Sequence, residues 1–211
     1  ARGGEEPLSF KYESHRVVDD FVFMCMLVGN DFVPHIAHLD IAEGALNIMF
    51  RVYKELLPSW GGYLTDAHRL HPDRLEAFLA RVSDRSEITY FRNKARDEDD
   101  RGYASNGYKK HYYSKKLDID ITTDTQALNA VKQRYLEGLH WVLQYYHNGC
   151  QSWSWYYPYL YAPLASDMTN LRSFRIRFQR GRPFRPLTQL LAVLPPESAQ
   201  FLPNPYRELM I

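Results

Sequence analysis

Two cysteines, Cys25 and Cys150, are all that this 211-residue chain holds. So few exclude a disulfide framework and fit free thiols in a reducing, intracellular setting. No apolar run is long enough to span a bilayer, which excludes a membrane helix. Neither sign of charge dominates, since the formal net charge is +1. The bulk field therefore does not announce a polyanionic partner. Ala1-Arg-Gly-Gly lacks a signal-peptide pattern and reads as a cut end. Internal repeats and low-complexity tracts are missing too. One local absence is informative: no acidic residue stands between Asp167 and Glu197, a reach that carries six arginines.

What is present is helical patterning and many aromatic rings. Val17, Val18, Phe21, Val22, Cys25 and Val28 recur at helical spacing, and Phe23, Met24, Met26 and Leu27 fill much of the remaining circumference. A helix apolar nearly all round predicts a buried helix. Gly29 supplies its stop, and Asn30 or Asp31 can cap the turn toward Pro34. Asp40 suits the cap of a second helix, with apolar positions Ala42 to Leu57 and an end at Pro58. Pro72 suits the first position of a third, whose stripe is Leu75, Phe78, Leu79 and Val82. Residues 83–123 are weakly patterned and alternate in charge, which fits a solvated or disordered stretch. Asp124 caps a long helix closed by Gly149, and Pro186 begins another. The expected fold class is mostly α, an irregular helical domain over residues 16–211 with long aromatic-rich and Pro-rich connections. A polar leader occupies residues 1–15.

Four groups of residues bear on chemistry. Asp31 follows a rigid helix, so it is either an N-cap or a ligand for Mg²⁺, which favours hard oxygen donors. Asp19 and Asp20 lie about three turns earlier, too far along the helix to share its ion. They suit favourable charge at a helix N-terminus. His35 and His38 stand at i, i+3 without a third soft ligand, which favours ordinary hydrogen-bonded histidines over a metal site. The block from Trp141 to Tyr161 is core packing or a stacking platform for unpaired bases. In an extended segment, Trp153 and Trp155 point opposite ways, one inward and one toward a ligand, with Trp153 the outward candidate. Arg175 and Arg177 alternate with Phe174, Ile176 and Phe178, which predicts a strand with one basic face suited to phosphate.

Several strings resemble the XRN family of 5′→3′ exoribonucleases, within the wider flap-endonuclease-like group. They include Val17-Val-Asp-Asp-Phe-Val-Phe-Met24, Leu27-Val-Gly-Asn-Asp-Phe-Val-Pro-His35 and Tyr135-Leu-Glu-Gly-Leu-His-Trp-Val-Leu143. Ser152-Trp-Ser-Trp-Tyr-Tyr-Pro158, Tyr161-Ala-Pro-Leu-Ala-Ser-Asp167 and Leu202-Pro-Asn-Pro-Tyr-Arg-Glu-Leu-Met210 continue the resemblance in order. It implies the helical middle portion of an enzyme that hydrolyses single-stranded RNA with a 5′-monophosphate. Two Mg²⁺ or Mn²⁺ ions would be held by several carboxylates, of which Asp31 is one. A tryptophan of the aromatic block would stack on RNA. The other carboxylates and the 5′-phosphate pocket match nothing here, so the expected partner is an N-terminal nuclease portion of the same protein. Both branches of the family share these strings, which leaves cytoplasm and nucleus open. The resemblance also implies a longer segment in relatives where this chain has residues 83–123. Two rivals stay open: a non-catalytic RNA-binding or scaffold module, and a flap-type nuclease acting on DNA.

Overall fold

A single carboxylate ties the first three elements together. The computed structural model describes residues 8–104 and 106–210, so part of the polar leader lies outside the described residues. Helix α1 runs Ser14–Met26 and α2 runs Ala45–Trp60. A two-stranded antiparallel hairpin, β1 Thr65–Asp66 and β2 Arg69–Leu70, follows. Asp20, fully buried in α1, faces both. Its Oδ2 accepts hydrogen bonds from Tyr53 Oη of α2 and from Leu64 N, each at 2.7 Å. Its Oδ1 accepts from Thr65 N and Thr65 Oγ1, also at 2.7 Å. Four donors satisfy a charge that would otherwise be costly to bury. Burial, and then the Asp20 carboxylate, hold the Tyr53 phenol far above its usual range. Asp20 is thus a buried cross-link and not a helix-end charge, which corrects the expectation from sequence.

The same helix departs from expectation on its outer face. Phe23, Met24 and Met26 are buried, yet Val18 is 59%, Phe21 40% and Val22 45% exposed. Periodicity registers apolar positions but not whether this chain supplies their cover. Val17, Val18 and Phe21 line an open groove with Leu46 and Phe50 of α2.

Helix α2 begins at Ala45 after Gly44 takes a left-handed conformation. Asp40 instead closes the preceding turn, accepting from Ala42 N at 2.8 Å. The helix passes through Pro58 and stops at Gly61, also left-handed. Helix α3 spans Pro72–Asp97, with Pro72 in its first turn. Its buried face continues past Val82 through Ser83, Glu87, Phe91 and Ala95. A 3₁₀ turn, Arg101–Tyr103, leads into α4, Tyr108–Leu117, and then α5, Thr125–Asn148. Asp124 caps α5 by accepting from Ala127 N at 2.8 Å. Between α3 and α4, Asp100 accepts from Gly102 N, His111 Nε2 and Lys115 Nζ. Lys115 first, then His111, hold its carboxyl well below the usual carboxylate range. Phe91, Tyr103, Tyr112, Tyr113, Val131 and Leu164 form an aromatic core among these elements.

The chain divides into two compact units: residues up to Gln151 with Tyr156–Arg177, and Ser152–Trp155 with residues from Phe178 on. In the second, Trp153 N donates to Arg180 O at 2.9 Å, and Trp155 meets the Phe178 ring edge-on at 6.3 Å. Helix α6, Pro186–Val193, buries none of its residues, and a 3₁₀ segment and the short helix α7, Asn204–Arg207, follow. Leu202 is the buried anchor here, its carbonyl receiving Arg207 Nε at 2.7 Å. The architecture is mostly helical, as the periodicities predict.

Candidate functional site

The turn after α1 is built to hold one side chain outward. Gly29 has φ +100°, and a Cβ there would stand 3.3 Å from the Cβ and N of His35. Only glycine fits both constraints without strain. Asn30 then does the capping: its Oδ1 accepts from Phe32 N at 2.9 Å and from Val33 N at 3.1 Å. The turn is closed by Asn30 N donating to Val33 O at 3.2 Å and Ile36 N donating to Leu27 O at 3.1 Å. Phe32 packs on Trp141 at 4.8 Å and Tyr145 at 5.4 Å, and those two rings stack 5.2 Å apart on α5. Tyr135 Oη donates to Pro34 O at 3.1 Å. Asp31 stands at the tip, exposed. Among the described residues its carboxylate has no hydrogen-bond or ion-pair partner. Of the two capping candidates, the structure therefore selects Asn30 and leaves Asp31 free.

The neighbouring histidines differ from each other. His35 is exposed, with Nδ1 3.0 Å from Ile36 O. His38 is buried with neither ring nitrogen hydrogen-bonded, and its Nδ1 lies 3.6 Å from Glu87 Oε2. Burial lowers its imidazole to about 4. That corrects the expectation of a hydrogen-bonded ring. Glu87 accepts instead from Tyr108 Oη at 2.8 Å and Ser166 N at 3.1 Å.

Trp153 is 48% exposed, while Trp155 is half-buried. Arg175 and Arg177 are exposed, and Phe174 and Ile176 half-buried. The period of two survives in burial, but residues 174–185 form no strand. Extended backbone alone alternates its side chains, whereas a strand needs a ladder partner. Among the described residues none is offered here.

Mg²⁺ prefers six oxygen ligands in near-octahedral geometry. Among the described residues, no group of three His, Cys, Asp or Glu side chains is placed to hold a metal. A single carboxylate does not make a centre. Sequence reasoning missed the buttress of Phe32, Trp141 and Tyr145. The signal was available, because Trp141 and Tyr145 are spaced i, i+4 on one helix face.

Among the described residues this mostly helical domain offers the free carboxylate of Asp31 on a braced loop and no group of three side chains placed to hold a metal. Its sequence matches the Xrn1 helical domain family over residues 11–106 and 98–211. It is 32% identical to human 5′-3′ exoribonuclease 1 over 98% of this chain and 16% of that protein. It is 33% identical to the Drosophila melanogaster 5′-3′ exoribonuclease 2 homolog over 96% of this chain and 30% of that protein. With Gallus gallus 5′-3′ exoribonuclease 2 the figures are 31%, 96% and 31%. The chain belongs to the XRN family of 5′-3′ exoribonucleases and corresponds to its helical domain. It spans about a sixth to a third of the length of these relatives. The two family matches overlap over residues 98–106, which include Asp100, bonded to His111 of α4. No helix among the described residues is long and apolar enough to cross a membrane.

Proposed function

We propose that this chain is the helical portion of a metal-dependent exoribonuclease that hydrolyses single-stranded, 5′-monophosphorylated RNA in the 5′→3′ direction, in cytoplasm or nucleus. The observation that carries the reading is Asp31, an exposed carboxylate without a partner, on a loop whose capping is done by Asn30. A carboxylate freed from a structural task suits a ligand to Mg²⁺ or Mn²⁺. The remaining ligands of the two-ion site come from an N-terminal nuclease portion of the same protein. Such ions would supply charge stabilisation at the attacking and leaving oxygens. The exposed face of Val18, Phe21 and Val22 supports a further protein body against α1, since apolar surface of this kind is normally covered. Trp153 is the stacking residue, and Arg175 and Arg177 contact phosphates.

The test uses two variants of the complete enzyme. Asp31→Asn removes the charge at an exposed site, so stability, followed by thermal melting, should hold to within about 0.5 kcal/mol. Turnover of 5′-phosphorylated RNA should fall at least about 100-fold. Asp31→Ala should match it in both measurements. Near-normal turnover in folded Asp31→Asn enzyme retires the metal-ligand role, and a preference for branched DNA over RNA retires the substrate.

A further inference from the structure

A cleft of about 180 Å³ opens beside the Asp31 loop, lined by His35, Tyr90, Lys94, Tyr112, Lys116 and Tyr161. His35 belongs to that loop. Its Cα lies four residues from that of Asp31, hence at most about 14 Å away. Helix α4 carries four lysines, and three are neutralised by carboxylates. Lys109 pairs with Asp167 at 2.7 Å, Lys110 with Asp120 at 3.5 Å and Lys115 with Asp100 at 2.5 Å. Among the described residues Lys116 has no carboxylate within ion-pair distance, and Glu98 acts on it only from further off. Its ammonium lies 4.7 Å from the centre of the Tyr161 ring, on the cleft wall. Lys94, also on the cleft lining, lies 5.8 Å from the Tyr90 ring and pairs with Glu98 at 2.5 Å. Tyr112 Oη is already committed to Ala162 O.

A concave site lined by Tyr90, Tyr112 and Tyr161, with a lysine that forms no ion pair among its lining residues, has the composition of a single-stranded nucleic-acid subsite. The ammonium takes a phosphate and a ring face takes a base. Its volume suits one phosphate and the edge of one base, not a stacked duplex. We propose that this cleft binds a backbone phosphate of the RNA strand at Lys116, with the adjoining base against Tyr161. The inference rests on the reading of the chain as part of an exoribonuclease, and extends the RNA path onto α3 and α4.

The experiment measures binding of 5′-phosphorylated single-stranded RNA to the complete enzyme in EDTA, by fluorescence anisotropy across a KCl series. Lys116→Met should weaken binding several-fold and lower the slope of log K against log salt by about 0.7, the share of one single-strand phosphate. Tyr161→Ala should weaken it about 5- to 100-fold, and Tyr161→Phe should restore it. Glu98→Gln, at an exposed residue, releases Lys94 and should tighten binding, which a purely structural role for the cleft would not do. Blunt duplex RNA should be indifferent to all four. Unchanged affinity and slope in Lys116→Met and Glu98→Gln, with wild-type enzyme binding and degrading RNA, overturns the cleft alone. Wild-type enzyme that neither binds nor degrades the RNA overturns the functional reading and the cleft with it.

Discussion

At the residue scale, two buried ionisable groups make opposite demands. The Asp20 carboxylate accepts four hydrogen bonds, each at 2.7 Å. Asp20→Ala leaves Tyr53 Oη, Leu64 N and Thr65 N buried without an acceptor. It should cost about 3–5 kcal/mol, read by denaturant unfolding, because unsatisfied buried donors and broken charge contacts are expensive. A loss under about 1 kcal/mol would mean that water replaces the carboxylate. His38 behaves the other way. Burial lowers its imidazole from 6.5 to about 4, so between these values the unfolded chain takes up a proton and the folded one does not. Stability is therefore intact above pH 6.5 and is lost as pH falls toward 4, by at most about 3 kcal/mol. The Glu87 carboxylate, 3.6 Å away, favours the charged ring and makes this an upper bound. His38→Leu should flatten that acid limb, and an unaltered limb would assign it to other groups.

At the scale of elements, the positions of starts and stops were largely legible. Pro72, Asp124, Gly149 and Pro186 act where their chemistry predicts. The length of α3 was not legible, because Ser83 and Glu87 interrupt its apolar stripe while remaining buried. Glu87 is tolerated there by donors from Tyr108 and Ser166, 21 and 79 residues away, which no local pattern contains. The arginine reach failed as a strand for a related reason: alternation is a property of one segment, and a ladder belongs to two. The loop after α1 was half legible. Gly29 and the choice between Asn30 and Asp31 could be read, but the hold of Phe32 on α5 could not. Phe32→Ala should cost about 2–4 kcal/mol in stability. In the complete enzyme it should also lower kcat about 10- to 100-fold, since small misplacements of a reacting group are costly. A stable loop position, with kcat unchanged, would reduce Phe32 to packing.

At the scale of the molecule, the mostly helical class was readable from periodicity, and the family from strings that run the length of the chain. The uncovered face of α1 was not, because a periodic pattern treats an apolar residue under another body as it treats one in its own core. The carboxylate inventory points in the same direction. With one free acidic side chain at the candidate site and no metal-competent group among the described residues, the 211-residue chain alone should release no mononucleotides from 5′-phosphorylated RNA. Neither Mg²⁺ nor Mn²⁺ should change that. Circular dichroism would establish that the sample is helical, and robust metal-dependent release by such a sample would mean that the remaining ligands are within this chain.

Bracing the loop moves an entropy cost from ligand binding into folding. Fixing a residue's backbone costs about 1–2 kcal/mol. In a mobile loop that cost falls on whatever ligand arrives. Here the amides of Asn30, Phe32, Val33 and Ile36 are all bonded within the turn, so the ordering is complete once the chain has folded. A cation that meets Asp31 encounters a side chain carried on backbone already ordered, and has no loop to immobilise.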